Sequence, residues 1–292
     1  MFLQLFFNGL IAFGIYLLMA ISFSLIYKIS RFFHFAHAIV FTGGAYFTFL
    51  FKNHIGFSLW ISIISAFLSC AVLGCIMDLC VYSPLRKKKA SSMILLLASL
   101  GIYIVLQNVI SMVFGDDTKS IRSGEIKEGL NVFGARITPI QILIIGTSII
   151  LVIVVALFLK WSKMGKAMRA VANDPELSSS SGIDSNRVIL WTFAIGSALA
   201  GIAGILVALD VDMTPTMGMN ALMMGVVVVI IGGVESIPGL VLGAFLLGLA
   251  QHLGVWKISS QWQDAIAFII LFIFLLFKPE GFLGKKMKKA KI

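Results

Sequence analysis

Long apolar stretches, parted by single charges or short charged clusters, dominate the chain from end to end. Charge-free runs fall at residues 1–27, 32–51, 53–77, 90–115, 137–159, 188–209, 213–234 and 236–256, followed by a shorter run at 265–277. About 20 apolar helical residues are needed to cross about 30 Å of hydrocarbon. The first eight runs meet that length. The ninth meets it if its helix starts near Ser259 or Ser260, good N-cap residues, with Asp264 in the first turn. Transmembrane β-strands would instead alternate every second residue. The pattern therefore predicts an all-α polytopic membrane protein, a bundle of about 8–9 transmembrane helices forming one domain over residues 1–292. Glycines within 32–51 and 213–234 mark these two runs as candidates for broken or re-entrant helices.

Composition narrows the class further. Of 292 residues 59% are apolar and 12% charged, with a mean hydropathy of +1.02. Soluble domains run about 45–50% apolar and about 25% charged, so the surplus must face lipid. Disorder, collagen, coiled coil and a small disulfide scaffold are excluded by the same figures. The net charge of +10, from 23 Lys+Arg against 13 Asp+Glu, reads as loop asymmetry and not as a nucleic-acid footprint. The cation clusters Arg86–Lys89, residues 160–187 and the tail from Lys278 to Lys291 can all share one side. This puts 17 of the 23 cations inside and 6 outside, and predicts the N-terminus outside and the C-terminus in the cytoplasm. MFLQLFFNGL has no basic leader region and no A-x-A site, so it reads as a retained first span. Cys70, Cys75 and Cys80 do not share a helical face and are expected to be buried, inert thiols.

Polar residues inside the runs are the candidates for chemistry. His34 and His37, three apart near the inner end of the second run, can lie on one helical face and hold a broken helix or line a path. Without an H-e-x-x-H pattern or an acidic cluster, they are not read as a metal site. Gln107, Asn108 and Asn220 carry amides that are costly to leave in lipid, so they should face the bundle, as interhelical hydrogen bonds or as solute contacts. Small residues recur at helical spacing in Gly196/Ala200/Gly204, Gly239/Gly243, Ala244/Gly248 and Gly218/Gly225/Gly232, which permits close helix contact. The 116–136 loop, with Asp116, Asp117, Glu125 and Glu128 against Lys119, Arg122, Lys127 and Arg136, reads as a solvated flap. No P-loop pattern occurs, GFLGKK at 281–286 being a glycine-lysine cluster without a preceding strand, and there is no G-x-S-x-G. No cofactor is implied. A stand-alone secondary transporter would require buried acids or cation sites, whereas Asp78, Asp210, Asp212, Glu235 and Asp264 fall at or near span ends.

Residues 160–187 carry the most information. Lys163, Lys166 and Arg169 form a basic row beside the apolar stripe Met164, Met168 and Val171. Asp174 caps a second short helix, with Pro175 and Glu176 in its first turn and Gly182 at its end. Two short helices of this kind make either a docking surface for a protein or an anchor for lipid headgroups.

At this loop the sequence meets a known family. GKAMRAVANDPELSSSSGID (165–184) resembles the cytoplasmic coupling segment of LivH-type permeases, the membrane subunits of branched-chain amino-acid ABC importers. NGLIAFGIYLL (8–18), RFFHFAHAIVFTGGAY (31–46), YSPLRKKKASSMILLLASLGIYIVLQN (82–108), VIIGGVESIPGLVLGAFLLG (229–248) and KPEGFLG (278–284) are similar, in order, to further blocks of that family. Ala38 stands where a glycine is usual, Glu176-Leu177-Ser178 where E-A-A is usual, and Glu235 replaces a frequent glycine. The resemblance implies an inner-membrane permease, itself not an enzyme, that moves Leu, Ile and Val. Urea or short amides are the alternative cargo. It would work with a second, LivM-like membrane subunit, two ATP-binding subunits and a periplasmic or lipoprotein substrate-binding protein. Gly165, Arg169, Asp174, Glu176 and Gly182 are then expected at the ATPase contact. The expected solute path involves His37, Gly43, Gly44, Gln107, Asn108 and Asn220.

Overall fold

The computed structural model describes residues 1–122, 129–132 and 134–284. Its helices are α1 (Phe2–Ser30), α2 (His37–Phe49, extended by a π-helical turn at Leu50–His54), α3 (Leu59–Met77), α4 (Ser83–Lys87), α5 (Ser92–Phe114) and α6 (Pro139–Trp161), then α7 (Lys163–Asn173), α8 (Pro175–Ser180), α9 (Ser185–Asp210), α10 (Met217–Gly232), α11 (Ile237–Gly254) and α12 (Gln263–Phe277). A π-helical turn at Asp78–Tyr82 joins α3 to α4 without a break. Between α5 and α6, β1 (Leu130–Val132) and β2 (Ala135–Ile137) form an antiparallel hairpin with Asn131 opposite Arg136.

Among the described residues, seven helical stretches are long and apolar enough to cross a membrane. The two runs that fall short are the two marked by glycines: α2 has 13 regular residues and α10 has 16. Each begins after a non-helical connection, 31–36 before α2 and 211–216 before α10. Both short helices lie in the middle of the bundle and touch each other, α2 packed on α9 and α3 and α10 on α1 and α11. α1 and α9 are themselves 83% buried over their most apolar windows, whereas α5 is 17% buried and turns most of its surface outward. The broken helices can remain in the core because neighbours supply the hydrogen bonds that their ends lack. Thr42 Oγ1 accepts the Gly218 N–H, an orphan donor in the first turn of α10 (3.1 Å).

KPEGFLG serves the other end of α10. It folds back so that the Phe282 and Leu283 N–H groups donate to the Ile231 and Gly232 carbonyls (2.7 and 3.3 Å). That satisfies two of the last carbonyls of a helix which ends at Gly233, whose φ of +92° suits glycine.

Most members of the small-residue rows sit at contacts between backbones, whereas Gly196 and Gly225 face the side chains of Ile26 and Met19. Gly44 of α2 lies against Gly201 of α9, Gly204 against Phe41, Gly9 of α1 against Gly248 of α11, and Gly232 against Gly239. Van der Waals contact of this kind holds helices together where lipid offers no hydrophobic drive.

Two expectations need correction. The segment after α5 is no solvated flap at its start: Lys119 and Met213 exchange both backbone hydrogen bonds (3.0 and 2.8 Å), and Ile121 is fully buried beside Tyr46 and Leu209. Its apolar side chain and backbone pairing outweigh the charge pattern that suggested solvation. Glu125, Lys127 and Glu128 lie outside the described residues, as does the chain beyond Gly284. Of the three cysteines only Cys70 is buried, whereas Cys80 is exposed; all three are free thiols. Successive steps of five residues carry them round the helix, from the core to the outside.

Candidate functional site

α6 ends at Trp161, and the chain turns at once into α7 and α8, an elbow spanning residues 162–184. Local chemistry builds each corner. Ser162 caps α7 by accepting the Gly165 N–H (2.8 Å). Asp174 caps α8 by accepting from the Glu176 and Leu177 N–H groups (both 3.0 Å). Gly182, with φ of +83°, closes the turn after α8. Gly165 is buried, and a Cβ there would overlap the Phe158 carbonyl oxygen, so its task is to let α7 fold tightly under α6. Met168, Val171 and Ala172 bury the inner face of α7, while Lys163, Lys166 and Arg169 are exposed. Asp174, Glu176 and Leu177 are exposed on α8. The elbow thus turns a mixed charged and apolar surface away from the bundle. Asp174→Ala removes both cap bonds and is expected to destabilise the elbow by about 1 kcal/mol. Faster amide hydrogen exchange confined to 174–184 would register it.

Beside the apolar packing of α7, a hydrogen bond ties this elbow to the α1–α2 connection. The Arg31 guanidinium donates to the Ala172 carbonyl at the end of α7. Arg31 sits in the left-handed region (φ 57°) where α1 stops, so the interruption between α1 and α2 aims its side chain at the elbow. The same connection carries a polar cluster with no exposure at all. His37 Nε2 lies 2.8 Å from Ser22 Oγ, whose hydroxyl donates to the Met19 carbonyl; with its proton so used, Ser22 accepts from His37. His34 Nδ1 lies 3.0 Å from the Tyr82 hydroxyl and 3.3 Å from Ser99 Oγ. Ser99 in turn accepts the Ala36 N–H (2.8 Å). Four elements, α1, α2, the π turn and α5, are thereby fastened to the non-helical connection. Asp78 in the π turn is buried and paired with Arg86 (2.7 Å). Among the described residues no cluster of three His, Cys, Asp or Glu could hold a metal.

The remaining path candidates do not converge. Gly43 borders an apolar cavity between α2, α3 and α5, whereas Gly44 next to it is consumed by the α2–α9 contact. Asn108 is exposed on the outer side of α5, where its amide donates to the Ile104 carbonyl (2.8 Å), and Gln107 is half-buried. Neither is in the bundle interior expected for both, because the neighbours leave that side of α5 uncovered. Asn220 lies exposed near the start of α10 and donates to Asp264 at the start of α12 (3.2 Å). Ser22, Tyr82 and Ser99 are the members of the histidine cluster that the sequence did not single out. Their types are ordinary for helices, and only tertiary proximity reveals them.

The chain matches the family model described as branched-chain amino acid transport system / permease component over residues 5–275. It is a member of that permease family. It is 32% identical to the high-affinity branched-chain amino acid transport system permease protein LivH of Escherichia coli (strain K12), with 97% of this chain and 96% of the relative covered. The LivH protein of Salmonella typhimurium is 31% identical over the same shares. BraD of Pseudomonas aeruginosa, also a branched-chain amino acid transport system permease, is 32% identical over the same shares. No solved structure matches the chain. This permease is a multi-pass protein of the cell membrane, a transport component and not an enzyme.

Proposed function

We propose that the chain is the permease subunit of an ABC importer for branched-chain amino acids, with Leu, Ile and Val as cargo. It lies N-terminus out and C-terminus in, so that the elbow and the cation clusters face the cytoplasm. In this reading separate ATP-binding subunits hydrolyse ATP and dock on the exposed side of α7 and α8. Arg169, Glu176 and the side chain of Leu177 are the contact, and Asp174, Gly165 and Gly182 set its shape. A second, similar membrane subunit completes the pathway, and a substrate-binding protein delivers cargo at the outer surface.

The observation that supports the reading best is the Arg31–Ala172 bond. A displacement of the elbow reaches the α1–α2 connection through it, and from there His34, His37 and α2 at the centre of the bundle. Coupling by a shared, discrete contact is what a motor outside the membrane requires of a gate inside it. Two variants of the assembled importer in proteoliposomes test the assignment. Arg169→Glu is expected to reduce ATP-binding subunit co-purification and leucine uptake at least tenfold while the permease still inserts. Arg31→Met is expected to leave the complex assembled and hydrolysing ATP but to lower uptake per ATP. Normal uptake and co-purification in both would remove the elbow from the mechanism.

A further inference from the structure

A seam of polar groups where α10, α11 and α12 meet is distinct from the elbow and from the histidine cluster. Gln251, near the end of α11, is 1% exposed. Its amide nitrogen donates to the Gln263 carbonyl at the start of α12 (3.0 Å) and lies 3.5 Å from the Met224 sulfur on α10. Those contacts fix which way the amide points, because only its nitrogen can donate to a carbonyl. The Gln251 Oε1 oxygen is then left without a hydrogen-bond partner among the described residues. A buried acceptor in that state is unfavourable and calls for a donor.

Beside Gln263, Asp264 adds a full negative charge. One of its carboxylate oxygens accepts from the Asn220 amide (3.2 Å), one helical turn before Met224 on the same side of α10. Among the described residues no Lys, Arg or His is ion-paired with Asp264. Tyr16 of α1 is half-buried and lies within electrostatic reach of that carboxylate. Asp264 and Asn220 are exposed, so the seam runs from an open carboxylate to a buried amide oxygen. Trp256 and Trp262, both exposed, flank the start of α12. Such rings settle at the headgroup level of a bilayer, which puts Asp264 within reach of water at the outer surface in the orientation proposed above.

The unused chemistry here is one-sided. The second Asp264 oxygen and Gln251 Oε1 both accept, and no cation of the chain answers them. An ammonium group carries three donors and one positive charge. We propose that this seam receives the α-ammonium group of the transported amino acid as it enters from outside, with Asp264 as counter-charge and Gln251 Oε1 and the Tyr16 hydroxyl as further acceptors. The proposal rests on the function proposed above and adds the residues that tell an amino acid from an uncharged or anionic solute. A neutral amide gains less at Asp264, because hydrogen bonds between ionised groups are roughly twice as strong as neutral ones. An anion is repelled.

The test uses the complete importer in proteoliposomes with its substrate-binding protein, radiolabelled leucine and two competitors. One is 3-methylbutylamine, leucine without its carboxylate; the other is 4-methylpentanoate, leucine without its ammonium. Asp264→Asn keeps the shape and removes the charge. It is expected to lower leucine uptake about tenfold and to raise the amine concentration needed for half-inhibition about tenfold, the measure of one charge-assisted hydrogen bond. Inhibition by 4-methylpentanoate should not change. The binding protein is the same in every assay, so a difference between variants belongs to the permease. Asp264→Glu, which keeps a first-turn acid and its charge, is expected to retain inhibition by the amine. Gln251→Met removes the buried acceptor and should weaken amine inhibition in the same direction, which keeps the test open if Asp264→Asn fails to insert. Amine inhibition equal to wild type in the variants that insert overturns the proposal, as does wild-type leucine uptake in Asp264→Asn. Loss of wild-type uptake when choline replaces Na⁺ and K⁺ also overturns it, the result if an inorganic cation fills the seam. Those outcomes leave the importer reading standing, whereas a wild-type complex that imports none of Leu, Ile and Val removes that reading and the ammonium site with it.

Discussion

Gly44→Ala is expected to destabilise the purified protein by about 1–3 kcal/mol and to abolish transport, while Gly43→Ala one residue away is tolerated. The difference lies in what the new methyl group meets. At 44 it would overlap the backbone of Gly201, carbonyl carbon, oxygen and Cα together, and backbone cannot swing aside as a flexible side chain can. α2 and α9 would have to separate along their contact, and the overpacking cost of about 1–3 kcal/mol is the corresponding scale. At 43 the same methyl group stands at ordinary van der Waals distance from Phe47 and Leu73. Thermal unfolding of both variants in detergent, followed by size-exclusion elution, measures the pair side by side. Equal stability of the two would mean that α2 and α9 are not held at this contact.

The other large effect is expected at Arg86. Asp78 is 1% exposed, deep in the π turn, and Arg86 is its ion-pair partner at 2.7 Å. Arg86→Ala leaves a buried carboxylate with no counter-ion, a change that typically costs about 3–5 kcal/mol. The pair itself need not be strongly stabilising, because both charges lose hydration. Replacing both groups with neutral ones (Asp78→Asn with Arg86→Met) should therefore recover most of the loss. Thermal midpoints of the two single variants and the double variant form a cycle that isolates the coupling. A double variant no better than Arg86→Ala alone would contradict the ion-pair account. The turn also carries Tyr82, whose hydroxyl reaches His34, so the loss of Asp78 pairing should weaken the histidine cluster as well.

What could be read from the sequence was local. Asp174, Glu176 and Gly182 announce the elbow because a cap, a first-turn acid and a positive-φ turn need only their own neighbours. The same holds for Met168 and Val171, whose helical spacing gives the buried side of α7. The glycines of 32–51 and 213–234 flagged the broken helices, though not where each break falls. Contacts between distant segments were not legible. Nothing near Tyr82 indicates that it would meet His34, and nothing near Thr42 that it would cap α10 at Gly218. Ile121 looked like part of a charged loop because its burial depends on Tyr46 and Leu209, far away in sequence. Asn108 was expected inside because amides are costly in lipid, and helical periodicity alone cannot say which side of α5 the neighbours leave bare. Asp78 was placed at a span end by counting, whereas the helical stretch begun by α3 continues through the π turn and α4 to Lys87.

The two interrupted connections form one mechanical series. Arg31 holds the α1–α2 interruption to the elbow, Thr42 joins α2 to Gly218, and Met213 before α10 is zipped to Lys119 on the far surface. Opposite ends of the bundle are therefore linked through three contacts and two short rods. Thermodynamic reciprocity follows for any such linkage: whatever factor an event at the Lys119 side imposes on affinity at the elbow, grip at the elbow must return to the Lys119 side. Where the series carries such a factor, neither end of the bundle is tuned without retuning the other.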